Sequence, residues 1–169
     1  FSPCHISKAA SITKLLVGAM VLKLQEQGKI NINDPISNYI DPNILKKITN
    51  SEGKTIKQLM NHTTGIYDVI TCPAFYLEII NNPNKVWTPE DLLKFVYNKP
   101  GEPITAEFPA NYSNTNTLLL SMCVEKATGQ KHNVLLHELI LDHLGMNNTY
   151  YQGHDQIPAD AAQGYFDLH

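Results

Sequence analysis

The sequence predicts a mostly α-helical structure with almost no strand. Three observations carry this expectation. Residues 15–22 hold no charge, and every position except Gly18 is apolar, the pattern of a helix that is apolar on nearly every side and therefore buried. Thr55-Ile56-Lys57-Gln58 and Thr88-Pro89-Glu90-Asp91 are helix starts, the first a capping box, the second a threonine cap followed by proline and acids. Alternation of the strand type is confined to Lys29-Ile30-Asn31-Ile32-Asn33-Asp34-Pro35, which ends in a turn.

The elements follow in order. The first helix opens at Ser11 and runs to about Gln27, with Gly28 as its stop. Residues 36–48 read as short helical or irregular structure. The capping box opens a helix through Asn61, and His62-Thr63-Thr64-Gly65 ends it in a loop. Residues 75–80 are a short apolar run, read as helical, before a turn at 81–84. The helix capped by Thr88 runs to about Tyr97. Residues 99–111 hold three prolines and a glycine and read as an ordered loop. Residues 114–128 form a helix with Leu118, Leu119, Leu120, Met122, Cys123 and Val124 for a core, stopped by Gly129. Residues 133–144 form the last helix, stopped by Gly145. There is no internal repeat and no low-complexity tract.

Composition narrows the function classes. A chain of 169 residues, 43% of them apolar, fits one domain or one and a part and can build a real core. Thirteen basic and 16 acidic residues, with no basic run, argue against nucleic acid as a partner. No stretch approaches the apolar length of a membrane span. Cys4, Cys72 and Cys123 form no C-x-x-C pair and suggest neither a disulfide framework nor a zinc site. Cys123, inside an apolar helix, reads as buried filler. The chain opens at Phe1 with no initiator methionine and no leader, and reads as an internal piece of a longer protein.

Ser11 and Lys14 sit three apart at the start of the apolar helix, so they share a face. A lysine drawn toward an apolar interior has its charged form disfavoured, and a neutral amine beside a hydroxyl is a base beside a nucleophile. The spacing alone decides little. It recurs at Ser51-Glu52-Gly53-Lys54, in a polar stretch that reads as a loop. Ser11 also fits a helix-start serine, and Lys14 a snorkelling surface side chain. Tyr112-Ser113-Asn114 lies where the proline-rich loop meets the next helix. A tyrosine here places its hydroxyl at a cleft edge, where a nearby lysine helps it give up its proton and shuttle it. The same residues also fit an ordinary turn with Asn114 as helix cap.

Other motifs fail on spacing. Gly53-Lys54-Thr55 looks like the end of a phosphate-binding loop, but Ile48 stands where its first glycine belongs. His137-Glu138 suggests a zinc-protease helix, but the next histidine, His143, lies on a different helix face. His5, His132, His154 and His169 show no ligand spacing, so no metal is expected.

Ser11-Ile12-Thr13-Lys14, then LQEQGKININD at 24–34, LMNHTTG at 59–65, Tyr112-Ser113-Asn114-Thr115-Asn116, EKATGQ at 125–130, and Leu144-Gly145-Met146 with Thr149 occur in this order. The ordered set resembles the serine β-lactamase-like family, which contains class C β-lactamases, D-alanyl-D-alanine carboxypeptidases and related esterases. The resemblance covers essentially the whole chain. It implies that Ser11 is the acylated nucleophile, Lys14 its proton acceptor, and Tyr112 a second general acid/base. Asn114 would bind the substrate's amide side and help hold Lys14. The implied fold has two lobes, one all-helical and one an antiparallel sheet flanked by helices, with the site between them. Residues 1–169 would then be a partial domain: the nucleophile helix at about 11–27 and a helical lobe at about 35–150, with most of the sheet missing.

Two departures matter. The family's third motif, Lys-Thr-Gly or His-x-Gly on a strand that completes the oxyanion hole, is not found. His62-Thr63-Thr64-Gly65 is one residue too long and precedes Tyr112. Ala110 stands where the family usually has glycine. The resemblance implies a serine acyl-transfer hydrolase acting on a β-lactam, a D-Ala-D-Ala-type peptide or an ester. It would need no cofactor, its partner would be a small-molecule or peptide substrate, and its location would be extracytoplasmic. Residues 1–169 alone are expected to be nearly inactive. The rival is a non-catalytic member that binds cell-wall peptide or a protein partner.

Overall fold

The first helix sets the frame, and it is shorter and less buried than the sequence suggests. In the computed structural model, which describes residues 2 and 5–162, the chain enters through a 3-10 turn, Ala10–Ile12, and only then becomes α1, Thr13–Glu26. Val17, Met20, Val21 and Leu24 face the core. Leu15, however, is 73% exposed, and Ile12 and Leu22 are exposed too. The expectation of a helix buried all round is corrected. The apolar run supplies one face to the core, and no described residue buries the face that carries Leu15 and Leu22.

Behind α1 the chain makes short helices, each with a local cause. Pro42–Leu45 (α2) is capped by Asp41, whose side chain accepts the Asn43 N–H. Ile56–Met60 (α3) carries the full capping box, with the Thr55 and Gln58 side chains each accepting the other residue's N–H. Pro73–Asn81 (α4) follows a 3-10 turn at Val69–Thr71. Pro89–Leu93 (α5) is capped by Thr88 and carries Glu90 and Asp91 in its first turn. It ends at Leu93, four residues before the expected end, and turns carry the chain through Tyr97. Asn114–Thr128 (α6) ends at Gly129, whose φ of 70° is the left-handed conformation that terminates a helix. His132–Leu136 (α7) runs into a π turn, His137–Leu141.

No strand occurs among the described residues. One antiparallel bridge pairs Pro35 with Thr55, where the brief alternation ends. α1 packs on α6, α7 and the π turn, and α6 packs on α3 and α5. The core lies between them, built on Met20, Val21 and Leu24, Ile56 and Leu59, Leu119, Cys123 and Val124, and Leu135 and Leu141. Each such side chain contributes about 1.5–3 kcal/mol by leaving water. Burial pushes the Cys123 thiol up to about 12, so it is inert filler. Cys4 and His169 lie outside the described residues. This packing fixes α1 and α6 side by side, and their N-terminal ends carry Ser11 and Tyr112.

Candidate active site

Ser11 sits in the 3-10 turn just before α1, on an exposed edge. The preceding Ala10 has φ 47°, a left-handed conformation disfavoured for a residue with a Cβ. Such a residue stores about 1–3 kcal/mol of strain. The turn leaves the Ser11 hydroxyl open, and two side chains meet it. The Tyr112 hydroxyl lies 2.8 Å from Ser11 Oγ. Lys14 Nζ donates to the same oxygen at 3.2 Å. Lys14 Nζ also donates to Asn114 Oδ1 at 2.8 Å and lies 5.1 Å from the centre of the Tyr112 ring. The structure therefore brings Ser11, Lys14, Tyr112 and Asn114 into one cluster. Lys14 is half-buried, and what surrounds its Nζ is polar, which corrects the expectation of an apolar setting.

Asn114 is not a helix cap. Ser113 holds the N-cap position, and its side chain makes no capping bond. Asn114 instead lies between Lys14 and Asp68. The Asp68 carboxylate accepts the Asn114 backbone N–H at 3.0 Å and the side-chain amide at 3.2 and 3.0 Å. A carboxylate only accepts, so the amide has one possible orientation, NH₂ to Asp68 and oxygen to Lys14.

Electrostatics favour proton traffic at the phenol. Burial works to raise the Tyr112 value, but hydrogen bonding to Lys14 and Ser11 and the Lys14 charge outweigh it, holding Tyr112 below the ordinary tyrosine range. A hydroxyl with an amine on one side and such a phenol on the other has two groups positioned to take or return its proton.

The segment 62–69 fastens the α6 start, and sequence reasoning missed it. Thr115 Oγ1 donates to the Tyr67 carbonyl at 2.7 Å and accepts the Val69 N–H at 3.0 Å. Thr64 Oγ1 donates to Asn116 Oδ1 at 2.7 Å. Ser113, Thr115, Asn116 and Thr64 are all buried. A signal was available: polar residues at the head of an otherwise apolar helix must find partners if they are buried. Asp68 gave no such signal, because it reads only as a turn acid before Ile70.

Among the described residues no group of His, Cys, Asp and Glu is arranged to hold a metal ion. Nor is any helix there long and apolar enough to cross a membrane.

Residues 2–167 match the Beta-lactamase family. The chain is 31% identical over 164 residues to Protein flp of Staphylococcus aureus, covering 97% of this chain and 32% of that protein. It is 30% identical over 147 residues to the D-alanyl-D-alanine-carboxypeptidase/endopeptidase AmpH of Escherichia coli, covering 86% of this chain and 37% of that one. The chain thus spans about a third of the length of these relatives. A D-stereospecific amidohydrolase from Streptomyces sp. superimposes with a TM-score of 0.78 at 28% identity, over 90% of this chain and 46% of that one. The described residues are the helical part of that shared fold.

Proposed function

This chain belongs to the beta-lactamase family, and on that premise we propose that it carries the nucleophile of a serine acyl-transfer hydrolase. The carrying observation is the Ser11 hydroxyl held between Lys14 Nζ and the Tyr112 hydroxyl. Ser11 Oγ attacks the carbonyl of an amide or ester while its proton passes to Lys14 or Tyr112. The C–N or C–O bond then breaks, the leaving amine or alkoxide takes up the proton, and an acyl-enzyme remains at Ser11. Water, deprotonated by the same groups, releases the acid. The Asn114 amide, braced by Asp68, holds Lys14 in place and would bind the substrate's amide side.

The substrate class is a β-lactam, a D-Ala-D-Ala-type peptide or an ester. The names of the AmpH and Streptomyces relatives favour an amide next to a D-configured residue. Such substrates belong to the cell wall, so the site would work outside the cytoplasm. No cofactor enters the chemistry. No described segment supplies a strand beside Ser11, so residues 1–169 alone are expected to turn over little. Losing one oxyanion-hole donor costs about 10²–10³ in rate.

The test is covalent labelling of the product of the full open reading frame with a fluorescent penicillin and a fluorophosphonate. The adduct should map by peptide mass to Ser11 and vanish in Ser11→Ala. Labelling that persists in Ser11→Ala, or that maps to Ser113, refutes the assignment. Binding without any adduct would favour a non-catalytic family member.

A further inference from the structure

His62 holds Tyr112 from both sides. Its carbonyl accepts the Asn111 N–H at 2.8 Å, and its Nδ1 accepts the Ser113 N–H at 3.2 Å. The residues before and after Tyr112 are thus both fastened to one histidine. The two rings stack, with centroids 4.5 Å apart and planes 27° apart. Asn116 Nδ2 also lies 3.2 Å from Nδ1, and the Asn116 oxygen is already occupied by Thr64. Two donors therefore face Nδ1. That nitrogen is the unprotonated acceptor, and the ring is neutral with its proton on Nε2. Tyr112 itself is 48% exposed, so packing alone does not hold the phenol at Ser11. His62 also has φ 55°, a costly conformation for a residue with a Cβ that points to a positional role.

We infer that neutral His62 is the positioning residue of Tyr112: its ring seats the phenol, and its Nδ1 and carbonyl fix the backbone that aims the hydroxyl at Ser11. The inference rests on the proposed acyl-transfer reading. The charged or titratable groups facing the ring are Lys14 from α1, Asp68 from the segment before α4, and Tyr112. Burial, then the Lys14 charge, lowers the His62 value and outweighs the effects of Asp68 and the Ser113 backbone, which oppose it. Protonation would turn Nδ1 into a donor pointing at two donors. The Ser113 bond would break and the phenol would move. Ser11 acylation should therefore show an acid limb below about pH 6.5 that belongs to His62.

A double-mutant cycle on the full reading-frame product tests this. His62→Phe keeps a ring but loses the acceptor. It should slow Ser11 acylation by a fluorophosphonate about 10–100-fold. In a Tyr112→Phe background the same change should cost almost nothing more. His62→Asn keeps an acceptor and suits a left-handed position; it should lose less than His62→Phe and lack the acid limb. It carries the cycle if His62→Phe fails to fold. Equal losses in both backgrounds, or an acid limb that survives in His62→Asn, overturn the inference. If the unsubstituted protein is never labelled at Ser11, the acyl-transfer reading falls separately. ¹⁵N NMR of the histidines then decides the His62 question. An unprotonated Nδ1 bonded to the Ser113 amide at neutral pH supports the inference, and a protonated Nδ1 overturns it.

Discussion

Asp68 grips Asn114 at both its backbone and its side chain, with one carboxylate accepting three hydrogen bonds at 3.0–3.2 Å. This bracket sets which end of the Asn114 amide faces Lys14. Asp68 reaches Lys14 through Asn114, and its charge also acts on Tyr112 and His62. Asp68→Ala should lower the Ser11 acylation rate about 10–100-fold, because misplacement of a neighbour is enough to cost that much. It should also cost about 1–3 kcal/mol of stability, since the Asn114 donors lose their partner. Stopped-flow acylation and urea unfolding read the two effects. An unchanged rate would show that Lys14 holds its position without the bracket.

Lys14→Arg should be nearly as damaging as Lys14→Ala. Arginine keeps the charge but cannot give up its proton in a protein. If Lys14 serves as a base, both variants should lose about 10²–10⁴ in acylation rate. Retention of most of the rate by Lys14→Arg would make the lysine an electrostatic partner and Tyr112 the base.

Tyr112 should ionise before Tyr39, Tyr97 and Tyr151. Lys14 and Ser11 hold it low against the opposing effect of burial. Tyr39 is pushed up to about 12 by burial and the Asp34 hydrogen bond, and burial raises Tyr97 and Tyr151. An alkaline titration followed by phenolate absorbance should show an early step that is missing in Tyr112→Phe. A depressed value means the folded state is favoured above the ordinary tyrosine range, near pH 10, and that this contribution fades as pH falls through the lowered value. An identical early step in Tyr112→Phe would assign it elsewhere.

The sequence was legible where a local rule decides and illegible where distant partners do. Thr55 and Thr88 cap helices through contacts three residues away, and Gly129 ends α6 by its own conformation, so each could be read in place. Ser11, Lys14, Tyr112 and Asn114 surfaced as short motifs whose ordered company gave them weight. Asp68 and His62 act on residues 46 and 51 positions away, through geometry that no short motif encodes. The 3-10 turn at Ser11 was hidden because Ala10 carries no sign of its positive φ. The exposed side of α1 was hidden because an apolar run predicts burial without saying what does the burying.

The end of the lobe should be most stable in mildly acidic solution. His137 Nε2 and Asp155 Oδ2 pair at 2.7 Å, tying the π turn to the loop at 151–155. The Asp155 hydrogen bond raises the His137 value, against burial. For Asp155, burial pushes upward, but the Tyr151 N–H and His137 win and the value falls. The raised histidine contributes fully below its unfolded value of about 6.5, and that contribution fades as pH rises through the folded value. The lowered aspartate contributes above its unfolded value of about 3.9, and loses this as pH falls through the folded value. Both contributions overlap between about pH 4 and 6.5. His137→Asn keeps a polar side chain but cannot protonate, so its deficit in Tm against the unsubstituted protein should be largest in that window and shrink toward pH 8. Thermal unfolding at matched ionic strength across the range measures it. A deficit that grows with pH would mean the pair works through packing, with no contribution from its charge.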